Sequence, residues 1–305
     1  MKKIITRFQY AFLYKYDKER IVKILLSFFA IIGFTWTFVE SLSWIFDGEQ
    51  FVIDLRAFIR NYLIAGVAIT TLISFYIHRR KLRIQKTFTN TDISIVVEFC
   101  DLFEQKGATV INVMDTFDTD TSNNLVNTNT IHGQFISRYF STNVNSLNTK
   151  ISADLVELGL TPEETNQSLK GKKDRYKIGT ACRITTHDKY FYLAALTFMQ
   201  ETGNIDIQPQ YIYDFLSTLW DFIPNHGVHY EIINIPLIAS GINRLPASYT
   251  HQFILREIAN SFFLASKQSS FCKTLKICLN IKDYQYYDFE EVNLIFTHID
   301  KYLNR

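Results

Sequence analysis

The residues from Ile24 to Val39 contain no charged side chain, and apolar residues continue beyond Glu40 to Phe46. About 20 apolar residues in a helix cross the ~30 Å hydrocarbon layer of a membrane. The run therefore predicts a transmembrane helix over about residues 24–46. A cleaved signal peptide is the alternative, and it is disfavoured because the preceding tail is long and aromatic and no small-residue cleavage site precedes Asp47.

A second uncharged run extends from Tyr62 to Ile77. It reaches the length of a span if its helix begins near Phe58, with Arg60 reaching to the interface. The two runs together predict a transmembrane hairpin with helices over about 24–46 and 58–77. Basic residues are dense before the first helix and at 78–83, and sparse between the helices, which predicts that both termini are cytoplasmic.

The rest of the chain is long enough for one soluble domain of roughly 220 residues. The net charge is only +2, from 32 basic and 30 acidic residues, so the chain lacks the basic excess of a nucleic-acid binder. The four cysteines form no CxxC pair and are predicted to be reduced and mostly buried.

Apolar, β-branched runs predict strands, and helical spacing of apolar residues predicts helices between them. The polar stretch 161–175 is predicted to be an exposed loop. Alternating strands and helices indicate a layered α/β/α domain. The strands are predicted at 93–99, 108–113, 178–186, 190–197, 231–238 and 274–281, and the helices at 144–158, 212–223, 248–266 and 288–303.

Two loops follow predicted buried strands, where ligands of α/β sheets bind. The first, Asp115 to Thr130, is rich in Asp, Asn and Thr, and the second, Ile238 to Pro246, contains a Ser-Gly turn before a helix. Such a turn and helix N-terminus suit a phosphate. A calcium loop is an alternative for the first segment, but Asn123 and Asn129 stand where that motif needs Gly and Glu.

Several stretches read together resemble the macro domain, the ADP-ribose-binding fold: Cys100-Asp101-Leu102-Phe103, 107–113, Ile178-Gly179-Thr180-Ala181 and 235–242. The sequence more closely resembles the divergent macro domain of membrane-anchored effectors of the Thoeris anti-phage system. Matching stretches are 101–104, 112–119, 131–135 and Ser240-Gly241, behind two membrane helices. The implied fold is a two-helix transmembrane hairpin (residues 1–85) followed by a three-layer α/β/α macro domain with a mixed sheet (86–285) and a C-terminal helix packed on it (286–305).

The resemblance implies a ligand-binding site without a metal or a catalytic residue. Asp101, with Leu102, would meet the adenine, and Asp101 is also placed after a strand where it could cap a helix. The loop from Asn112 to Asp120 would line the distal ribose. That loop lacks the glycine run of hydrolytic macro domains, which favours binding over turnover, and no nucleophile lies beside His132 in sequence. His226 and His229 have metal-like spacing but no third ligand. The implied ligand-binding residues are Asp101, Leu102, Asn112, Asp115, Thr116, Phe117, Asp118 and His132, with Ser240, Gly241, Ile242, Asn243 and Arg244 at the diphosphate.

The function implied by the resemblance is anti-phage defence at the bacterial inner membrane. The expected ligand is an ADP-ribose derivative, a histidine–ADP-ribose conjugate, made by a TIR-domain partner. Binding is expected to drive homo-oligomerisation and disruption of the lipid bilayer, leading to cell death or growth arrest. No cofactor and no nucleic-acid partner is expected. A membrane-tethered ADP-ribosyl hydrolase and a passive ADP-ribose-binding tether are the alternatives.

Overall fold

The computed structural model describes residues 18–46, 49–239 and 245–304. The chain divides into two compact units, residues 1–82 (unit 1) and residues 83–305 (unit 2). The described part of unit 1 contains three helices, α1 (Lys18–Ile45), α2 (Gln50–Asn61) and α3 (Leu63–Ile77).

Helix α1 has 28 residues with a mean hydropathy of 2.0 and is long and apolar enough to cross a membrane. The predicted second helix differs from expectation. Its expected continuous course from Phe58 is wrong, because α2 and α3 are bent by 71° at Tyr62, whose backbone leaves helical geometry (φ −109°, ψ 17°). The polar pair Arg60 and Asn61 interrupts the apolar run just before the bend, so α3 alone has 15 residues.

Unit 2 is built on a mixed sheet in the order β1-β2-β10-β9-β3-β7-β6, with β8 paired to β7. Strands β2, β10, β9, β3 and β7 are mutually parallel, whereas β1, β6 and β8 are antiparallel to their neighbours. The mixed sheet is as predicted. The bounds are β1 Arg83–Thr87, β2 Ser94–Phe99, β3 Ala108–Met114, β6 Ala181–Thr186, β7 Lys189–Met199, β8 Ile205–Asp206, β9 Ile232–Pro236 and β10 Thr274–Leu279.

Helices cover both faces of this sheet. Alternate residues of β7 show the division. Phe191 packs against Phe135 of α4 (Ile131–Tyr139), while Tyr192 packs against Phe222 of α6 (Pro209–His226). The three-layer prediction is therefore confirmed. The helices are α4 Ile131–Tyr139, α5 Val144–Glu157, α6 Pro209–His226, α7 His251–Gln268 and α8 Phe289–His298, with a 3₁₀ helix at Leu102–Glu104.

Two segments of unit 2 differ from the sequence prediction. The stretch 161–175 carries a small ladder, β4 (Glu164–Thr165) with β5 (Asp174–Arg175), and Arg175 is buried, so the prediction of an exposed loop is wrong for that residue. Strand β1 was not predicted, because a polar edge strand with one covered face carries little apolar signal.

The C-terminal segment packs on β1. After the 3₁₀ helix Ile281–Tyr286 and α8, a π-helical turn covers Ile299–Leu303. Asp300 of this turn pairs with Lys86 of β1 at 2.9 Å and accepts hydrogen bonds from Thr89. These contacts hold the turn against the first hairpin. Of the four free cysteines, Cys182, Cys272 and Cys278 are buried, as predicted.

Candidate functional site

The parallel strands β2, β10, β9, β3 and β7 end at one edge of the sheet, where ligands of α/β folds bind. Asp101 follows β2, Asp115 follows β3 directly, and Ala239 lies three residues beyond β9. The segments predicted to bind a ligand therefore share this edge. The predicted diphosphate residues Ser240, Gly241, Ile242, Asn243 and Arg244 lie outside the described residues.

Asp115 is a buried carboxylate paired with an arginine. Arg175 Nη1 lies 2.5 Å from its Oδ2, and the two side chains are 5% and 1% exposed respectively. The Met199 N–H donates to Oδ1 at 2.8 Å, and the guanidinium lies 3.8 Å from the centre of the Phe198 ring. Burial raises the pKa of Asp115, while the Met199 N–H and Arg175 act in the opposite direction. Asp115 thus fastens the loop after β3 to the end of β7.

Asp118 is also turned inward. Its Oδ1 accepts from the Asp120 N–H at 2.9 Å, and its Oδ2 accepts from the Lys172 N–H at 2.7 Å. The Lys172 ammonium donates in return to the Phe117 carbonyl at 2.8 Å. Gly171 has φ +89°, and a Cβ there would overlap Asp118 Oδ2, so glycine is required for this close approach. The segment 171–172 clamps the loop after β3.

Two non-glycine residues at this edge have left-handed backbone conformations. Phe117 has φ +49° and Ala239 has φ +58°, and Phe117 is fully buried. A bulky residue in this region is strained, and such strain persists where the surroundings fix it, often at functional sites. The strain thus falls at the ends of β3 and β9, beside the two predicted ligand loops.

His132 is buried in the first turn of α4. Its Nε2 makes no hydrogen bond to another described residue, and neither does the buried hydroxyl of Thr116. Burial, with a smaller contribution from the positive charge of Lys172, lowers the pKa of His132 to about 3. The imidazole is therefore neutral at physiological pH.

Asp101 begins the 3₁₀ helix, where its carboxylate accepts from the Phe103 N–H at 3.1 Å. Arg138 of α4 forms an ion pair with the same carboxylate, with Nη1 3.1 Å from Asp101 Oδ2. The Arg138 guanidinium also lies 4.6 Å from the centre of the Phe103 ring. Its capping role is confirmed, and contact with adenine stays a prediction. About a quarter of the side chain remains exposed, so an adenine amino group would share the carboxylate with Arg138.

The other predicted site residues lie within the core or on β3. Leu102 is buried, and it belongs with Phe117 to the apolar cluster under α4 and α5. Asn112 is half-buried in β3, opposite Ala194 of β7.

Sequence reasoning missed the three residues that hold the loop after β3, namely Gly171, Lys172 and Arg175. They lie more than 50 residues further along the chain. The available signal was the basic run 170–175, which could have been matched to the acidic segment 115–120.

A mixed sheet between helical layers, with the predicted ligand loops after β2, β3 and β9, is the arrangement expected of a macro-domain protein. The family described as "Thoeris protein ThsA, Macro domain" matches residues 95–280. This match covers more than half of the chain, and the chain belongs to that family.

Similar proteins include one curated relative and several solved structures. Thoeris protein ThsA from Bacillus amyloliquefaciens (strain Y2) is 27% identical over 147 residues, which are 47% of this chain and 48% of that protein. The chain thus spans about half the length of this relative. The match to a mutant macrodomain from Oceanobacillus iheyensis covers 72% of this chain and 100% of the macrodomain chain, with a TM-score of 0.49 and 10% identity. The match to the Oceanobacillus iheyensis macrodomain with ADP covers 71% of this chain and 98% of the macrodomain chain, with a TM-score of 0.44 and 12% identity.

Proposed function

We propose that this protein is a Thoeris effector whose macro domain binds an ADP-ribose derivative, histidine–ADP-ribose, supplied by a TIR-domain partner. The observation that carries the proposal is membership of the ThsA macro-domain family over residues 95–280. Asp101, the loop after β3 and the loop after β9 follow parallel strands that end at one sheet edge. An edge of this kind accommodates an extended nucleotide.

Binding without turnover is the favoured activity. The carboxylates of Asp115 and Asp118 are already engaged by Arg175 and by the Lys172 N–H, and His132 is enclosed. A hydrolase needs a group that can activate water within hydrogen-bonding reach of the substrate. Release of ADP-ribose from ADP-ribosylated substrates by the purified protein would favour the hydrolase alternative instead.

The proposed output is at the membrane. Helix α1 has the length and composition of a span, and we propose that α3 returns across the same bilayer, so that both termini face the bacterial cytoplasm. Ligand binding then favours a homo-oligomer that disrupts the inner membrane and stops growth or kills the cell. A ligand shifts assembly only if it binds the assembled state more tightly than the separate chains.

Calorimetry on the full chain in detergent tests the ligand. Wild type is expected to bind histidine–ADP-ribose more tightly than ADP-ribose. Asp101→Ala removes one charge-assisted hydrogen bond to the ligand, and Gly241→Glu adds a negative charge to the predicted diphosphate loop. Each variant is expected to weaken binding by at least about tenfold. Lys273→Ala, at an exposed ion pair, is the matched control. Unchanged affinity in both site variants would refute the assigned site.

A dye-release assay separates an effector from a passive tether. The full chain in vesicles is expected to release dye when histidine–ADP-ribose is added, and the Gly241→Glu variant is expected to remain silent at the same concentration. Tight binding without any dye release, and without a growth defect in cells, would support the tether.

A further inference from the structure

Helix α2 is amphipathic. Phe51, Leu55 and Phe58 recur at helical spacing and form one apolar face. Phe51 and Phe58 are 49% and 60% exposed. Arg56 and Arg60 lie on the other side of the helix, so α2 presents aromatic rings on one side and positive charge on the opposite side.

The flank of α2 between these two sides is held within unit 1. Val52 is only 2% exposed, and Arg56 Nε donates to the Ser43 hydroxyl of α1 at 3.1 Å. The orientation of α2 is therefore fixed against α1 by described contacts. Its phenylalanine face points away from that contact and is available to a partner.

Aromatic residues flank α2 at both of its ends. Phe46 packs on Phe51 with ring centres 5.7 Å apart, and Phe58 packs on Tyr62 with ring centres 4.7 Å apart. Trp44, near the end of α1, is 84% exposed. Amphipathic aromatic residues such as Trp and Tyr collect at the level of lipid headgroups, which identifies a phospholipid leaflet as the partner of this face.

Helix α3 is short for a membrane span. Its 15 residues rise about 22 Å, which is less than the ~30 Å of a typical hydrocarbon layer. Tyr62 precedes α3, and Tyr76 near its other end carries Arg79 at 3.9 Å from its ring centre. Both ends of α3 thus carry residues that favour the headgroup region. A shift of α3 along the membrane normal would bury one of these ends and would not lengthen the span. The 28 residues of α1 rise about 42 Å and have no such shortfall.

We infer that α2 lies in the headgroup region of one leaflet, with phosphates beside Arg56 and Arg60 and upper acyl chains on Phe51 and Phe58, and that the bilayer thins around α3. The inference rests on the proposed membrane insertion. A span shorter than the bilayer thins it locally, and helices inserted at the interface add area to one leaflet only.

This arrangement describes how assembly could damage a membrane without a polar pore. No charged residue occurs within α3, and the hydroxyls of Thr71 and Ser74 donate to carbonyls of their own helix. Several copies brought together would join their thinned zones into one weakened patch. The lipid, rather than a protein-lined channel, would then fail.

The test compares partitioning of the full chain, without nucleotide, into phosphatidylcholine vesicles with short, medium and long acyl chains. Wild type is expected to prefer the short-chain lipid over the long-chain lipid by about tenfold, because each ångström of mismatch carries a small cost. The variant Arg60→Leu/Asn61→Leu makes the apolar run continuous from Phe58 to Ile77 and is expected to move the preference to longer chains. Arg60→Lys/Asn61→Gln keeps the polar break and is the matched control.

Hydrogen–deuterium exchange on wild type in the same vesicles needs no variant. The amides of α3 are expected to be protected along their length, and those of α2 to exchange at an intermediate rate. An acyl-length preference identical in wild type and the leucine variant would overturn the inference, as would α2 amides that are as protected as those of α3. Failure to partition into any lipid would refute the proposed membrane insertion as well, while ligand binding measured in detergent would be unaffected.

Discussion

Arg175 and Asp115 show how a single side-chain pair fixes the loop beside the candidate site. Both groups are buried, and the pair is joined by a Met199 N–H. Removal of one partner from a buried pair leaves a charge without compensation. Arg175→Met is therefore expected to lower the free energy of unfolding by about 3–5 kcal/mol, measured by urea denaturation of the full chain in detergent.

The control for this prediction is an exposed pair. Lys273 and Glu231 are 3.0 Å apart with side chains 55% and 71% exposed, so Lys273→Ala is expected to leave the free energy of unfolding nearly unchanged. The double variant Asp115→Asn/Arg175→Met is expected to recover part of the loss. Equal effects of Arg175→Met and Lys273→Ala would contradict the structural role of the pair.

His132 makes stability depend on pH. Its folded pKa of about 3 lies below the ordinary value of 6.5, because burial and then Lys172 disfavour the charged form. The unfolded chain therefore binds more protons between these values, and stability falls as the pH is lowered from 6.5 toward 3. His132→Phe is expected to reduce this slope by up to about 1.4 kcal/mol per pH unit.

Thermal unfolding at a series of pH values measures the His132 slope. His229→Gln, at an exposed histidine, serves as the reference substitution and should leave the slope unchanged. A His132→Phe curve parallel to wild type would show that this imidazole titrates normally in the folded protein.

At the residue scale, local signals predicted what lies near in sequence and missed what lies far. The capping role of Asp101 followed from its place after a strand and was confirmed. Arg175 was not predicted at the site because its contact with Asp115 spans 60 positions and depends on a strand pair, β4–β5, with no apolar pattern. The burial of Asp118 depends on Gly171, which sequence spacing alone cannot align with it.

Among the elements, the C-terminal π-helical turn is held by a set of polar contacts to the first hairpin. Asp300 pairs with Lys86 and accepts from Thr89, and Asn304 donates to the Thr89 carbonyl at 2.6 Å. The hydrogen bond from Lys86 and those from Thr89 lower the pKa of Asp300 to about 2, from an ordinary value of 3.8.

The lowered pKa gives the sign of the effect. The stabilisation from Asp300 is complete above pH 3.8 and is lost as the pH falls through 2. Asp300→Asn is expected to cost about 1–2 kcal/mol at neutral pH and nothing at the acid limit, measured by thermal unfolding. Glu291→Gln, an exposed position on α8, is the comparison, and a loss for Asp300→Asn that persists at the acid limit would contradict the ionic origin.

Element by element, apolar patterning predicted the buried strands of unit 2 well. Strand β3, predicted at 108–113, runs over Ala108–Met114, because a strand covered on both faces is apolar throughout. The break at Tyr62 was missed because the span was predicted from the length of an apolar run, and this length does not show where a helix bends. Edge strand β1 was missed for the opposite reason, since its exposed face is polar.

For the whole molecule, the division after residue 82 predicts that unit 2 folds by itself. The sheet from β1 to β6 and both helical layers lie within residues 83–305. A chain of residues 83–305 is expected to be soluble and to unfold in one cooperative transition, measured by calorimetry. It is also expected to bind histidine–ADP-ribose with the affinity of the full chain and to leave vesicles intact.

The matching control is a shorter chain. Residues 83–288 lack α8 and the π-helical turn, so Phe88 loses its packing partner Phe296, and a lower unfolding temperature is expected. Aggregation of residues 83–305 in the absence of unit 1 would contradict the independence of the two units.

The contact between Asn304 and Thr89 has a practical consequence for engineering. The last turn of unit 2 packs against its first strand, so the two ends of this fold lie along one edge strand, within about 20 Å of each other, the length of six extended residues. A fold with neighbouring ends tolerates insertion into a surface loop of another protein. Unit 2 inserted into a fluorescent host protein is therefore a candidate sensor for the proposed nucleotide, with no membrane required.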